Sequence, residues 1–285
     1  MIHEEKMISI IICSRNKDIG DSLKVNIQQT IGNVSYELVI IDNSANRFSI
    51  FQAYNLGYER SKYPYLCYIH EDIFFRSNNW GEKIIEGLNS KDVGLIGVIG
   101  GLYVGNLCRS WGDSGLIVGQ FIQGGRNKEG ITFFYNEYRQ HGCDVVAVDG
   151  LFIASKRELF TTGRLRWDED TYDGFHFYDM DISMQVLQTE LKVRIVDEIL
   201  IQHNSHSIYN ESFYKNYELF HKKWKDFMPV MPFKFPPDLE KKAYFNILKE
   251  NAQIGIRLYR RNKVLKYLPY KLATKIMLSL GYEVW

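Results

Sequence analysis

Residues 7–14, Met-Ile-Ser-Ile-Ile-Ile-Cys-Ser, form an unbroken apolar run rich in β-branched residues that stops at Arg15-Asn16-Lys17-Asp18. A strand that is apolar on both sides has to be covered on both sides, which places it inside a parallel sheet. The pattern recurs. Residues 36–41 (Tyr-Glu-Leu-Val-Ile-Ile) end at Asp42-Asn43-Ser44, and Tyr65-Leu-Cys-Tyr-Ile69 runs directly into His70-Glu71-Asp72. Helical patterns over 23–31 and 50–61 separate the three runs, and Asp18 or Asp21 offers a cap for the first helix. The order β-α-β-α-β predicts an α/β fold with a mostly parallel central sheet, right-handed crossovers and helices on both faces.

Beyond the third strand the pattern predicts a helix over 80–88, a strand over 93–98, strands over 145–148 and 151–155, a helix over 177–188, a strand over 192–196 and a helix over 213–227. Residues 100–142 show no clear period, and so long an irregular stretch inside a compact domain reads as a substrate-binding excursion. Prolines 229, 232, 236 and 237 mark a hinge. The expected organisation is a body over 7–227 and a basic, helical C-terminal extension over 228–285.

The charge supports that division. The whole chain has 35 Lys+Arg against 34 Asp+Glu, but residues 240–285 alone hold ten basic and three acidic residues, so an acidic body carries a cationic tail. A net charge of +1 and 45% hydrophobic residues exclude a disordered chain and give no nucleic-acid signature. Cysteines 13, 67, 108 and 143 form no framework, which points to free thiols in a reducing compartment. The charged N-terminus with its short apolar run and the lack of a run of about 18 apolar residues make the expected location cytoplasmic.

In open α/β sheets ligands gather beyond the carboxyl ends of strands, which here carry Ser14-Arg15-Asn16, Asp42-Asn43 and His70-Glu71-Asp72. Neither a Gly-x-Gly-x-x-Gly nor a P-loop follows the first strand, so a nucleotide has to be held by side chains and a metal. The acid cluster after the third strand suits Mg²⁺ or Mn²⁺, and His203 can add an imidazole; its alternative is a structural histidine, as is that of His206. Residues 167–181 carry six carboxylates among aromatics. Of these, Asp179 at a helix start can take a proton from a hydroxyl or serve as an N-cap. Trp111, beside Arg109 and Asp113, can stack on a sugar or plug the core.

The motifs at 10–16, 39–44, 53–57, 68–72, 148–150, 175–181 and His203 together resemble a family 2-type glycosyltransferase with the GT-A fold, in the branch with a His-x-Asp metal motif. The resemblance implies metal-dependent, inverting transfer of a sugar from a nucleotide-sugar donor, often a UDP-sugar, to a glycan or lipid-linked acceptor, in cell-surface polysaccharide or glycan synthesis. By position it implies Asp72 and His203 as metal ligands and Asp179 as catalytic base, with Tyr178 where relatives have Glu. It further implies that Ser14, Arg15, Asn16, Asp42, Asn43, Asn55, Glu71, Trp111, Asp149, Gly150 and Asp181 contact donor or acceptor. His70 stands in place of the family's first acid, which leaves its part in the metal site open. No Gln-x-x-Arg-Trp follows, which favours single addition over polymerisation. A nucleotidyltransferase on a similar sheet and an inactive nucleotide-sugar-binding protein are the competing classes. The tail, with Arg257, Arg260, Arg261, Lys263 and Lys266 among leucines and isoleucines, either meets an anionic membrane surface or packs on the body.

Overall fold

The structure is a computed structural model that describes residues 6–125, 128–141, 143–204 and 210–262. The chain begins β1 (Met7–Ser14), α1 (Asp21–Thr30), β2 (Ser35–Asp42), α2 (Ile50–Arg60) and β3 (Tyr65–Ile69). β1 lies between β2 and β3, parallel to both, with Ile10 opposite Leu38 and Cys67. Because side chains alternate across a strand, β1 feeds two cores. Ile8, Ile10 and Ile12 pack in one cluster with Leu23 and Ile27 of α1, while Ile11 packs in the other with Phe51, Ala53 and Tyr54 of α2. This two-sided burial is what an apolar run without polar alternation requires.

Neither Asp18 nor Asp21 caps α1. Gly20 occupies the N-cap without a side-chain bond, Asp18 accepts from Ile19 N and from Lys24, and Asp21 lies inside the first turn, where its charge favours the helix dipole. α2 is capped more fully: Ser49 and Gln52 exchange side-chain and backbone bonds in a capping box.

The chain continues through β4 (Ile73–Phe75), α3 (Trp80–Asn89), β5 (Val93–Gly97) and β6 (Ile99–Gly101), then crosses the stretch expected to be irregular. There it forms an antiparallel pair, β7 (Ile117–Gly125) and β8 (Lys128–Tyr135), with Phe121 stacked on Phe133 at 5.4 Å. Glycines hide this strand in the sequence. Gly119 has φ +117° and lies so close to the Val98 carbonyl that no side chain fits. Next come β9 (Asp144–Val145), β10 (Ala147–Val148), β11 (Phe152–Lys156), α4 (Arg157–Thr161), α5 (Tyr178–Gln188), β12 (Lys192–Ile195), β13 (Ile201–His203), α6 (Glu211–Trp224) and α7 (Pro237–Asn262).

The main sheet has the order β2-β1-β3-β11-β5-β12-β9 and a second sheet the order β10-β6-β7-β13-β4, with β8 on β7. The parallel character is that of the β2-β1-β3 unit and the β5-β12 pair; β11 runs antiparallel between β3 and β5, and β9 antiparallel on β12. The segment 145–148, read as one strand, is divided between β9 in the main sheet and β10 in the second, and this crossing brings Asp149 and Gly150 beside the end of β3, where His70 N donates to the Leu151 carbonyl.

The proline-rich stretch is a strap packed on the body. Val230 exchanges both backbone bonds with Val104, and Met228 and Phe235 are buried. The first half of α7 also packs inward through Ala243, Ile247, Leu248 and Ala252, and Asn246 and Asn251 donate to the Ser114 and Leu107 carbonyls at 2.8 and 2.9 Å. The tail's basic residues from Arg257 onward have side chains outside the described residues, and so does His206. Among the described residues no helix is long and apolar enough to cross a membrane. Cys67 and Cys108 are buried, Cys13 and Cys143 half-buried, and all four are free.

Candidate active site

The register of the sheet makes the site. Ser14 is level with Asp42 and Ile12 with Ile69, so the polar residues after β1, β2 and β3 emerge along one edge. Glu71 ties this edge together, accepting from Ser14 Oγ at 2.6 Å, from the Arg15 backbone N–H at 3.1 Å and from Arg15 Nε at 2.8 Å. Glu71 is thus spent on its neighbours, which leaves His70 and Asp72, two residues apart, to face a common space.

His203 reaches that space from the second sheet. β13 pairs antiparallel with β4, His203 lies opposite Ile73, and Asn204 N donates to the Asp72 carbonyl. His203 Nε2 is 3.5 Å from Asp72 Oδ1 and 3.4 Å from His70 Nδ1, and His70 Nδ1 is 3.9 Å from Asp72 Oδ1. The three atoms therefore surround a point about 2.1 Å from each, the bond length of a small divalent ion to nitrogen or oxygen. Two imidazole nitrogens and one carboxylate oxygen with open positions are a donor set that holds such ions. Electrostatics agrees. Burial, and then His203, push His70 below its ordinary value, so it is neutral with a lone pair to give. Burial also pulls His203 down, but Asp72 and Asp149 outweigh it and hold His203 above its ordinary value. Arg15 lies 3.5 Å from Asp72 Oδ2, on the opposite side of that carboxylate.

Two adjoining cavities share His70, Phe175 and Tyr178 in their walls. The smaller, about 310 Å³, lies over the ends of β1 and β2 with Arg15, Asn43, Asn46, Glu71 and Asp72. Cys13 also lines it, but burial pushes that thiol up to about 11, so it is protonated at neutral pH and no nucleophile. The larger, about 440 Å³, carries Asp149, Gly150, Asp179, His203 and the aromatic faces of Trp111, Phe121 and Phe213. Asp179 lies in the first turn of α5 and its Oδ1 accepts from Met180 N at 2.8 Å. Burial, and then the like charge of Asp149, push its carboxyl up to about 7.

Nine residues read from the sequence thus line the two cavities: Arg15, Asn43, Glu71, Asp72, Trp111, Asp149, Gly150, Asp179 and His203. Five do not, and each has its side chain or exposure accounted for. Ser14 is fully buried under Glu71, and Asn16 points outward to solvent. Asp42 caps its own turn, accepting from Ser44 N and Oγ, which hold it below its ordinary value. Asn55 donates to the Trp167 carbonyl. Asp181 is 1% exposed and accepts from Tyr172 Oη, Gln185 Nε2, Lys223 Nζ and Trp224 Nε1, so it is a structural anion facing away from the cavity. Other lining residues were not placed as site residues from the sequence, among them Asn46, Arg109, Phe121, Tyr178 and Phe213, while His70, whose part was left open, lines both cavities. Trp111 both lines the cavity and packs against the two cores, and Asp113 is turned inward onto Arg109.

The chain is thus a mixed α/β fold whose strand ends carry a two-histidine, one-carboxylate group between two cavities, and its architecture is similar to that of a GT-A glycosyltransferase. The family model described as "Glycosyltransferase like family" matches residues 9–226, and the chain belongs to that family. Among solved structures it is similar to GalNAc-T7 crystallised with UDP, GalNAc and Mn²⁺, at 12% identity and a TM-score of 0.56, over 97% of this chain and 55% of that one. The chain therefore spans little more than half the length of that protein, and the likeness is one of fold. No curated protein matches the chain.

Proposed function

We propose that this protein is a divalent-metal-dependent, inverting glycosyltransferase of the single-addition type, moving a sugar from a nucleoside diphosphate, with UDP favoured, to a hydroxyl of a glycan or lipid-linked acceptor. The setting implied is cell-surface polysaccharide or glycan synthesis. In this reading residues 7–227 are the catalytic body and 228–285 an extension. The observation that carries it is the position of the His70, Asp72 and His203 triangle where the two cavities meet. The mixed nitrogen and oxygen set favours Mn²⁺ over Mg²⁺, which prefers oxygen alone. A bound ion supplies positive charge to the diphosphate as it leaves.

The protein's own groups do the rest. Asn46 and Arg15 hold the nucleotide in the smaller cavity, whose wall Asn43 shapes with its side chain bonded to the Phe48 backbone, and Arg15 adds cationic charge at its rim. Trp111, Phe121 and Phe213 offer apolar faces for sugar rings in the larger one. Asp179 takes the acceptor hydroxyl's proton as the new C–O bond forms and the old sugar–phosphate bond breaks, its electron pair leaving on the diphosphate. Attack from the Asp179 side and departure on the metal side give inversion. Calorimetry of UDP binding with and without Mn²⁺ tests the reading: Mn²⁺ is expected to strengthen binding in the native protein and to do nothing in Asp72→Ala. A metal-independent UDP affinity in the native protein, with no UDP released from a panel of UDP-sugars, overturns it.

A further inference from the structure

The structure engages both ring nitrogens of His70. Nδ1 faces the centre, 3.4 Å from His203 Nε2, while Nε2 lies 2.6 Å from Tyr178 Oη. A neutral imidazole has one N–H and one lone pair, and the partner of one nitrogen decides what the other can do. We infer that Tyr178 is the positioning residue of the metal centre: its hydroxyl accepts the Nε2–H of His70 and thereby turns the Nδ1 lone pair toward the ion. This rests on the metal reading above and adds the group that sets the ligand's tautomer and ring plane.

The hydroxyl has little freedom to sit elsewhere. The Tyr178 ring is buried, edge-on to Phe51 and Tyr54 at 6.4 and 5.8 Å and tilted on Trp167 at 6.1 Å. Its Oη fills the space that a Cβ on Gly150 would occupy, so glycine at 150 is a condition of the contact. Tyr178 is also the first residue of α5, and Asp179 is the next. One hydrogen bond therefore joins the strand end that holds the ion to the helix turn that holds the base. Outer partners of this kind change metal affinity by roughly 10–100-fold when removed.

Tyr178→Phe deletes one oxygen and keeps the ring. Nitrogen-15 NMR of the metal-free native protein is expected to show His70 as the Nε2–H tautomer, and Tyr178→Phe a mixture. Mn²⁺ titration followed by electron paramagnetic resonance, with UDP at a fixed concentration, is expected to show roughly 10–100-fold weaker Mn²⁺ binding in Tyr178→Phe at an unchanged melting temperature. Gly150→Ala, which crowds the hydroxyl, should weaken Mn²⁺ in the same direction, and Tyr178→Phe should have no further effect in a His70→Ala background. An Nδ1–H tautomer in the native protein, native Mn²⁺ affinity in Tyr178→Phe, or an equal loss in the His70→Ala background overturns the inference while leaving the metal reading standing. A native protein that shows the Nε2–H tautomer yet binds no Mn²⁺ overturns the metal reading instead.

Discussion

Replacing Asp179 with Asn tests the chemistry most directly, because the substitution keeps shape and removes only the capacity to take a proton. With its carboxyl ionising near 7, Asp179 is about one-tenth ionised at pH 6 and about nine-tenths at pH 8. If it is the base, kcat/KM at saturating Mn²⁺ should rise about tenfold over that interval and then level. General-base assistance contributes roughly 10²–10⁴-fold. Asp179→Asn should therefore lose at least about 100-fold in turnover, about 2.7 kcal/mol of transition-state stabilisation, and should lose the pH step with it. UDP affinity measured by calorimetry should not change.

The same carboxyl makes a stability prediction of definite sign. A group whose value is raised on folding gives stability that is fully present below its unfolded value, near 3.8, and lost as the pH rises through about 7. The shift sets an upper bound of about 4 kcal/mol at pH 8, and solvent access to the open cavity reduces the expected cost to about 1–2 kcal/mol. Asp179→Asn should therefore raise the urea midpoint at pH 8 and leave it unchanged at pH 4. A variant with near-native turnover and an intact pH step would remove Asp179 from the role. A variant that loses turnover but gains no stability at pH 8 would show that the carboxyl is not held in its raised state by its surroundings.

Three other substitutions separate the site from its support. Asp149→Asn removes the like charge next to Asp179, so the midpoint of the pH–kcat/KM curve should move to lower pH. Asp181→Ala leaves Lys223, Trp224 Nε1 and Tyr172 Oη without their buried acceptor and should cost about 3–5 kcal/mol in denaturant unfolding, with UDP affinity of the folded protein unchanged. Asn251→Ala cuts the bond from α7 to the Leu107 carbonyl, beside the loop that presents Arg109 and Trp111; it should cost about 1–3 kcal/mol and raise the acceptor KM while sparing the donor KM in steady-state assays.

β1 and β3 were legible because their burial on both sides leaves no polar alternation, whereas β2, at the sheet edge and mostly half-buried, was legible from its apolar run ending at Asp42. The β7–β8 pair was not, because its pattern is interrupted by Gly119, where the Val98 backbone approaches, and by Gly124, where the Asn204 and Gln202 side chains do, and a glycine is silent about which way its neighbours face. β11 could not be oriented from sequence either. Strand propensity is the same in both directions, and its antiparallel course follows from where β10 leaves the second sheet.

For the site, residue type told less than the supply of partners. Asp72 and Asp181 are both aspartates in acid-rich motifs, and the sequence treats them alike. Asp181 meets Lys223 and Trp224 from α6, more than forty residues away, together with Tyr172 and Gln185, and these four donors take up its oxygens. Asp72 has Arg15 at 3.5 Å from one oxygen and turns the other toward His70 and His203, at 3.9 and 3.5 Å. Two imidazoles and a carboxylate whose ligand atoms lie within 4.8 Å of one another form a group able to hold a cation, whereas an aspartate among four donors is already complete. That difference sets a carboxylate that faces the cavity apart from one that braces the fold. It depends on contacts between β4 and β13 and between α5 and α6 that no local pattern in the chain contains.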